Sequence, residues 1–294
     1  MADLALLVLT LFWGTTFSLV KEALEGASVS VFLSLRFGVA AAVIAAVWAV
    51  RQDRVGPRLL GHGALLGLAM LAGFWLQTLG LRHTTPSRSA FITGLSVLIV
   101  PFIARFHLGR RVRLASWAGV ALAVVGLLVL TRPFGEATPP EVRLGDLLTF
   151  GCALAFAFQI VFTAEWSPRH PLAPFVGLQV AVTLAGALLS ILVEGARLAP
   201  ASPVRFAGVV AFTGVVMTAG AFFVMNWAQR HTTAVRAALI FSLEPVTAAL
   251  FSAWYWKEPL GPFELAGGGL IVLGVVLGEV GGALEDRALP APPA

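Results

Sequence analysis

Apolar residues run along this chain in long unbroken blocks joined by short polar links, with no period-two alternation of apolar and polar positions. Ten blocks stand out: Leu4–Lys21, Phe32–Val50, Gly61–Gly80, Ser89–Phe106, Leu114–Leu130, Leu144–Thr163, Phe175–Glu194, Phe206–Trp227, Arg236–Trp256 and Phe263–Val280. A bilayer core is crossed by about 20 consecutive apolar residues in a helix, which satisfies its own backbone hydrogen bonds. A closed barrel would instead show shorter, alternating segments. The pattern predicts an all-α membrane protein with ten transmembrane helices, and the links are too short to hold a soluble domain.

A polar tetrad breaks this background twice. Arg82-His83-Thr84-Thr85 returns as Arg230-His231-Thr232-Thr233, 148 residues later, although the chain holds only five histidines. The match runs without a gap from Gly80–Leu130 to Ala228–Gly278, with 13 identities in 51 positions, among them Arg88/Arg236, Gly119/Gly267 and Gly126/Gly274. Further back the offset becomes 143, placing Asp3-Leu4 on Asp146-Leu147 and Leu35-Arg36 on Leu178-Gln179. The chain is expected to divide into a first five-helix repeat over 1–131, a proline-bearing linker over 132–143, a second five-helix repeat over 144–284 and a disordered tail over 285–294. Five spans per copy force the second copy to enter the membrane from the opposite side. Inverted repeats point first to transport, with a binding site near the midplane between the copies.

Composition changes the picture little. Hydrophobic residues make up 58% and charged residues 12% of the chain, half the usual charged share of a soluble domain. A net charge of +5 would suggest nucleic acid in a soluble protein; here Lys and Arg sort to cytoplasmic loops, so no nucleic-acid partner is expected. With the N-terminus inside, eleven basic residues fall on inner links against eight on outer ones, and Arg105, Arg110, Arg111 and Arg113 cluster on one inner link. Both termini are therefore read as cytoplasmic. Cys152 is the single cysteine, so neither a disulfide framework nor a cysteine metal site is expected. No P-loop, HExxH or GxSxG occurs, and no cofactor, metal or catalytic residue is expected.

Trp13-Gly14, Leu35-Arg36-Phe37 and the stretch Gln77–Val100 resemble the first half of the drug/metabolite transporter superfamily in its ten-helix EamA branch. Ala228–Gly278, with Glu244-Pro245 and Trp256-Lys257-Glu258, resembles its second half. The resemblance covers nearly the whole length and implies a secondary transporter, often an exporter of amino acids or other small metabolites. It also implies a central cavity lined by the first, third, fourth, sixth, eighth and ninth helices, in the inner membrane of a bacterium. Small relatives that export cationic drugs use a glutamate inside the first helix; here Leu4–Val20 holds no acid.

Polar groups deep in a span are costly and default to functional candidates. Glu244 is the sharpest, about eight residues into the ninth block, where a carboxylate costs roughly 3 kcal/mol on insertion scales. Pro245 removes a backbone hydrogen bond beside it, which suits a gate or a substrate-amine site; the bland reading is a buried acid paired with an arginine. Arg36, inside the second block, either meets a substrate carboxylate or ties its helix to neighbouring carbonyls. Gln77, Gln159 and Asn226 offer neutral donors and acceptors, or serve as glue between helices. Trp13, Phe17, Trp75, Phe91, Phe156, Phe222 and Phe241 fall on spans that the resemblance makes cavity-lining, where packing is the competing role. The tetrads sit at span ends and read as helix caps and interfacial anchors. Gly274, Gly278 and Gly282 form a ridge for packing within the second half, with a homodimer through the last helix as a further expectation.

The leading expectation is an exporter of small metabolites such as amino acids, embedded in the bilayer and working by alternating access. A carrier of nucleotide sugars or lipid headgroups would need several cationic groups facing the cavity. An intramembrane enzyme or sensor would need a polar constellation or an output domain, and neither is visible. With no second deep acid and no histidine relay, uncoupled transport is favoured over proton coupling.

Overall fold

The computed structural model describes residues 1–51, 53, 55–131, 139–257 and 260–288. Helices account for nearly all of them: α1 (Ala2–Ala23), α2 (Val29–Arg51), α3 (Pro57–Leu81), α4 (Pro86–Gly94), α5 (Ser96–Phe102), α6 (Leu114–Thr131), α7 (Pro140–Trp166), α8 (Leu172–Glu194), α9 (Pro203–Ala211), α10 (Ala221–Ala228), α11 (Ala234–Phe241), α12 (Glu244–Trp256) and α13 (Pro262–Ala288). A π-helical turn, Ile103–His107, extends α5, and a π-helical segment, Phe212–Gly220, joins α9 to α10. Among the described residues the only β feature is an isolated bridge between Ala27 and Leu198. Eight helical rods are long and apolar enough to cross a membrane, and two shorter apolar stretches, Leu114–Leu130 and Pro262–Gly278, complete the set. This is an all-α integral membrane protein.

Proline begins α3, α4, α7, α9 and α13, where its missing N–H costs nothing and its fixed φ suits the first turn. Of the expected linker over 132–143, residues 140–143 form the first turn of α7, and 132–138 lie outside the described residues. At the other end α13 continues to Ala288, past the boundary drawn at 284, and 289–294 lie outside the described residues.

Packing joins the two halves throughout. α2 lies against α8, and α6 against α13. α3 packs on α7, as α10 packs on α1; α4 and α5 pack on α7, as α11 and α12 pack on α1. Each of these contacts recurs with the copies exchanged. At the α6–α13 contact a Cβ on Gly119 would sit 2.6 Å from the Gly274 carbonyl oxygen, and one on Gly126 would sit 2.7 Å from that of Gly267. Within the glycine ridge Gly274 therefore faces α6 of the other half, where small residues let the two backbones touch, whereas Gly278 faces Leu239 of its own half as expected.

The fourth rod of each half is broken at aligned positions. α4 gives way to α5 at Leu95, and α11 to α12 at Ser242-Leu243. Pro245 accounts for the second break, since it can occupy the first turn of a new helix but not the middle of an old one. The first has no proline at the aligned Val97, and Gly94 precedes it instead. The two breaks abut: a Cβ on Gly94 would lie 3.1 Å from Pro245 Cγ.

Candidate functional site

Between the halves lies a cavity of about 60 Å³ lined by α1, α2, α3, α4, α5, α7, α10, α11 and α12. That is room for a few waters but not for a whole metabolite, so the walls are drawn in around it. Aromatic rings form much of the wall. Trp13 meets Phe241 at 5.4 Å and Phe222 at 5.9 Å between centroids; Phe74 meets Phe156 at 5.3 Å and Phe222 at 5.8 Å. The indole N–H of Trp13 donates to the Met217 carbonyl at 3.2 Å, which fixes the ring's angle.

Two charged side chains face this space. Arg36 is 3% exposed, its guanidinium lies 4.6 Å from the centre of the Phe74 ring, and its Nε donates to Thr218 Oγ1 at 2.8 Å. That hydroxyl in turn donates to the Thr213 carbonyl at 2.8 Å. No carboxylate among the described residues pairs with Arg36, so its remaining N–H groups are available to the cavity. Glu244 opens α12, where the positive end of the helix dipole favours an anion. No donor among the described residues reaches its carboxylate. The structure thus does not pair Glu244 with an arginine.

Polar uncharged groups complete the lining. Gln77 Nε2 donates to Thr93 Oγ1 at 3.1 Å, and Thr16 and Ser96 add hydroxyls. Gln159 donates to Gln179 at 3.4 Å, and Gln179 donates to Asn226 Oδ1 at 3.3 Å and to the Phe175 carbonyl at 3.2 Å. Asn226 Nδ2 donates to the Phe222 carbonyl at 2.9 Å. This amide chain braces α7, α8 and α10 behind the wall.

Of the residues expected at the site, Trp13, Arg36, Gln77, Phe156, Gln159, Phe222, Phe241 and Glu244 line the cavity. Phe17, Trp75, Phe91, Asn226 and Pro245 do not. Phe17, Trp75 and Asn226 are each one residue beyond a lining position (Thr16, Phe74, Met225), and one residue turns a helical side chain by about 100°. Phe91 is two residues before Thr93 and is buried in the apolar core. Pro245 breaks the rod and packs beside Gly94. Sequence reasoning missed Thr16, Phe74, Thr93, Ser96, Ile160 and Met225 as lining residues.

The duplication itself carries the signal that finds them. At the 143 and 148 offsets the lining resolves into Trp13/Phe156, Thr16/Gln159, Phe74/Phe222, Gln77/Met225, Thr93/Phe241 and Ser96/Glu244. Twelve of the fourteen lining residues are thus equivalents, leaving Arg36 and Ile160.

The tetrads lie at opposite ends of the molecule. Thr85 caps α4 and Thr233 caps α11, each accepting from the N–H three residues on. Arg82 pairs with Glu194 at 3.0 Å, and Arg230 donates to Ser167 and to the His170 carbonyl. At the Arg230 end His62 and His170 touch at 2.9 Å, and His62 stacks on Trp166. Burial, reinforced by His62, Arg169 and Arg230, holds the His170 imidazole below its ordinary pKa. Among the described residues no group of three or more His, Cys, Asp or Glu side chains could hold a metal ion.

Comparison with known proteins fits this architecture. Over 281 residues the chain is 30% identical to an uncharacterized transporter of Archaeoglobus fulgidus, covering 94% of this chain and 85% of that one. It is 25% identical to the uncharacterized inner membrane transporter YedA of Escherichia coli strain K12, covering 94% and 90%. Identity is also 25% to a probable terminal-alkyne amino-acid exporter of Streptantibioticus cattleyicolor, covering 93% and 91%. A crystal structure aligns with a TM-score of 0.80 at 20% identity over 95% of this chain and 98% of that chain, which shows the same fold. The EamA-like transporter family profile matches residues 1–132 and 143–278, one stretch over each copy of the duplication. This duplicated helical membrane protein is a transporter, and it belongs to the EamA-like transporter family.

Proposed function

We propose that the protein exports small zwitterionic metabolites, amino acids foremost, across a bacterial inner membrane by alternating access of two inverted five-helix halves. One observation carries the substrate reading. Among the described residues the walls between the halves present a buried guanidinium with no acid partner and a half-buried carboxylate with no donor, set among aromatic rings. A zwitterion supplies the missing partner to each: its carboxylate to Arg36 and its ammonium to Glu244, with an apolar side chain against Phe74, Phe156 and Phe222. An isolated buried charge is expensive, so a ligand that neutralises both at once gains affinity from relieving that cost.

Three features support the inverted arrangement. Halves 1–131 and 144–284 make contacts that recur on exchange. Gly119 against Gly274 and Gly126 against Gly267 make the equivalent helices α6 and α13 antiparallel. The lining itself is built from equivalent pairs. The arginines near α5 and α6 then put both termini in the cytoplasm. The relative named as an amino-acid exporter agrees with the substrate class and direction. A nucleotide-sugar carrier has less support: among the described residues Arg36 is the only cation in the lining, and Lys21 is tied to the Leu81 and Thr84 carbonyls.

The test is flux in liposomes. Neutral amino acids are expected to exchange, whereas analogues lacking either the ammonium or the carboxylate compete at least tenfold less well; equal competition by both analogues removes the zwitterion reading. Reporters fused after Ala294 and inserted near Ala137 are expected on opposite sides of the membrane, and matching signals remove the inversion.

A further inference from the structure

The repeat equivalence pairs three polar residues at each end of the molecule. At one end are Thr84, Arg88 and Asp146; at the other are Thr232, Arg236 and Asp3, related by the 148 and 143 offsets. In both triads the acid comes from the other half, so each ties the halves together. The two are not in the same state. Asp146 accepts from Thr84 Oγ1 at 2.9 Å, from Arg88 Nε at 3.3 Å and from an Arg88 terminal nitrogen. At the Asp3 end a terminal nitrogen of Arg236 stands 3.5 Å from Asp3 Oδ2, while Asp3 Oδ1 and Thr232 Oγ1 are each buried without a hydrogen-bond partner.

The surroundings are tied at both ends, so the difference lies in the triads themselves. Near Asp146, Lys21 donates to the Leu81 and Thr84 carbonyls, and Glu194 accepts from Arg82 and from the Val29 and Ser30 amides at the start of α2. Near Asp3, Glu165 pairs with Arg110 and Arg169 beside a recess of about 350 Å³ that Thr232 and Arg236 also line, while a recess of about 290 Å³ at the Asp146 end is lined by Glu22 and Arg205. Orphaned buried polar atoms are rare and cost free energy, so two of them in one triad mark an arrangement whose satisfied form lies in another conformation.

We propose that the two triads are reciprocal latches. When Thr84 and Arg88 hold Asp146, that end is shut and the other slackens. When Thr232 and Arg236 close fully on Asp3, the Asp146 triad releases and the cavity faces the opposite side. The proposal rests on the inverted transport reading above, and it adds the residues that set the balance between the two faces. A charge-assisted hydrogen-bond set weighted to one state shifts a two-state equilibrium by about tenfold to a hundredfold.

The test uses the full chain in membrane vesicles with Cys152→Ala and a reporter thiol, Ser96→Cys, in the cavity wall. An impermeant thiol reagent is applied separately to each face. Asp146→Asn and Thr84→Val are expected to raise labelling from the Asp146 face by roughly tenfold or more and to lower it from the Asp3 face. Asp3→Asn and Thr232→Val are expected to act in the opposite sense, and the exchanged pair Arg88→Asp with Asp146→Arg returns labelling toward the parent. If a charge variant fails to accumulate, the hydroxyl variants decide. Shifts of the same sign at both ends, or none at either, overturn the latch assignment whether or not substrate moves. Opposite shifts in a protein that moves no amino acid keep the latches and discard the amino-acid reading of the substrate.

Discussion

The two halves share a scaffold and differ in chemistry. Where the first half places Ser96 at the start of α5, the second places Glu244 at the start of α12; where the first places Arg36, the second places Gln179. Gln179 is absorbed by Gln159 and Asn226, whereas Arg36 is left facing the cavity. Duplication kept the positions that define the wall and let the charges segregate, cation on one copy and anion on the other. A symmetric pair of walls has thereby become a polarised site.

The strongest test of that asymmetry removes it. Glu244→Ala and Arg36→Ala are each expected to cut amino-acid flux in liposomes by roughly 100-fold, the scale of losing one partner of a buried charge interaction. The exchange Ser96→Glu with Glu244→Ser moves the acid to its equivalent position and should recover measurable flux that Glu244→Ser alone lacks. If the exchange is as inactive as the single variant, the halves are not interchangeable around the ligand.

A second set probes what the halves still share. Gly119→Leu and its equivalent Gly267→Leu should destabilise the detergent-solubilised protein by a similar amount, about 1–3 kcal/mol, because each forces a side chain into a facing backbone. Chemical denaturation gives the comparison, and a large difference between them would mean that the α6–α13 contact is not a two-fold one. Smaller still, Thr85→Ala and Thr233→Ala each remove one N-cap bond, with an expected loss of about 1 kcal/mol apiece.

The weakest effect belongs to one end alone. His170 is held below its ordinary pKa by burial, so the unfolded chain binds a proton more readily than the folded one. Stability should therefore be full above the ordinary histidine pKa and decline as pH falls through it toward the lowered value. Thermal melts between pH 8 and pH 5 should show a small decline that His170→Gln reduces, the remainder coming from His62, whose imidazole is lowered too by burial and by Arg169 and Arg58. An unchanged pH profile in that variant would remove His170 as its source.

Each apolar block falls on a helix and eight of the rods are long and apolar enough to cross a membrane, because a bilayer span has to be long, apolar and continuous whatever it packs against. The site was harder. Arg36 and Glu244 were legible because charge deep in an apolar block is rare, but the choice of Trp75 over Phe74 shows where composition fails. Adjacent residues on one helix point in different directions, and aromatic bulk does not say which faces the cavity. The spacing from Gln77 to Phe74 would have decided it, since residues three apart share a face. The breaks at Leu95 and Ser242-Leu243 were half visible: Pro245 announces one, while nothing so explicit announces the other.

The segment Phe212–Gly220 has no counterpart in the first half, where the equivalent rod is the regular helix α3. Its wider coil supplies the Met217 carbonyl to Trp13 and the Thr218 hydroxyl to Arg36, and it sets the angular phase of all that follows. A one-residue deletion just after it, at Ala221, would turn Phe222 and Met225 by about 100° about the rod axis relative to that segment. Both would leave the wall although neither had been altered. This rod should therefore accept many substitutions on its outward face and almost no change in length.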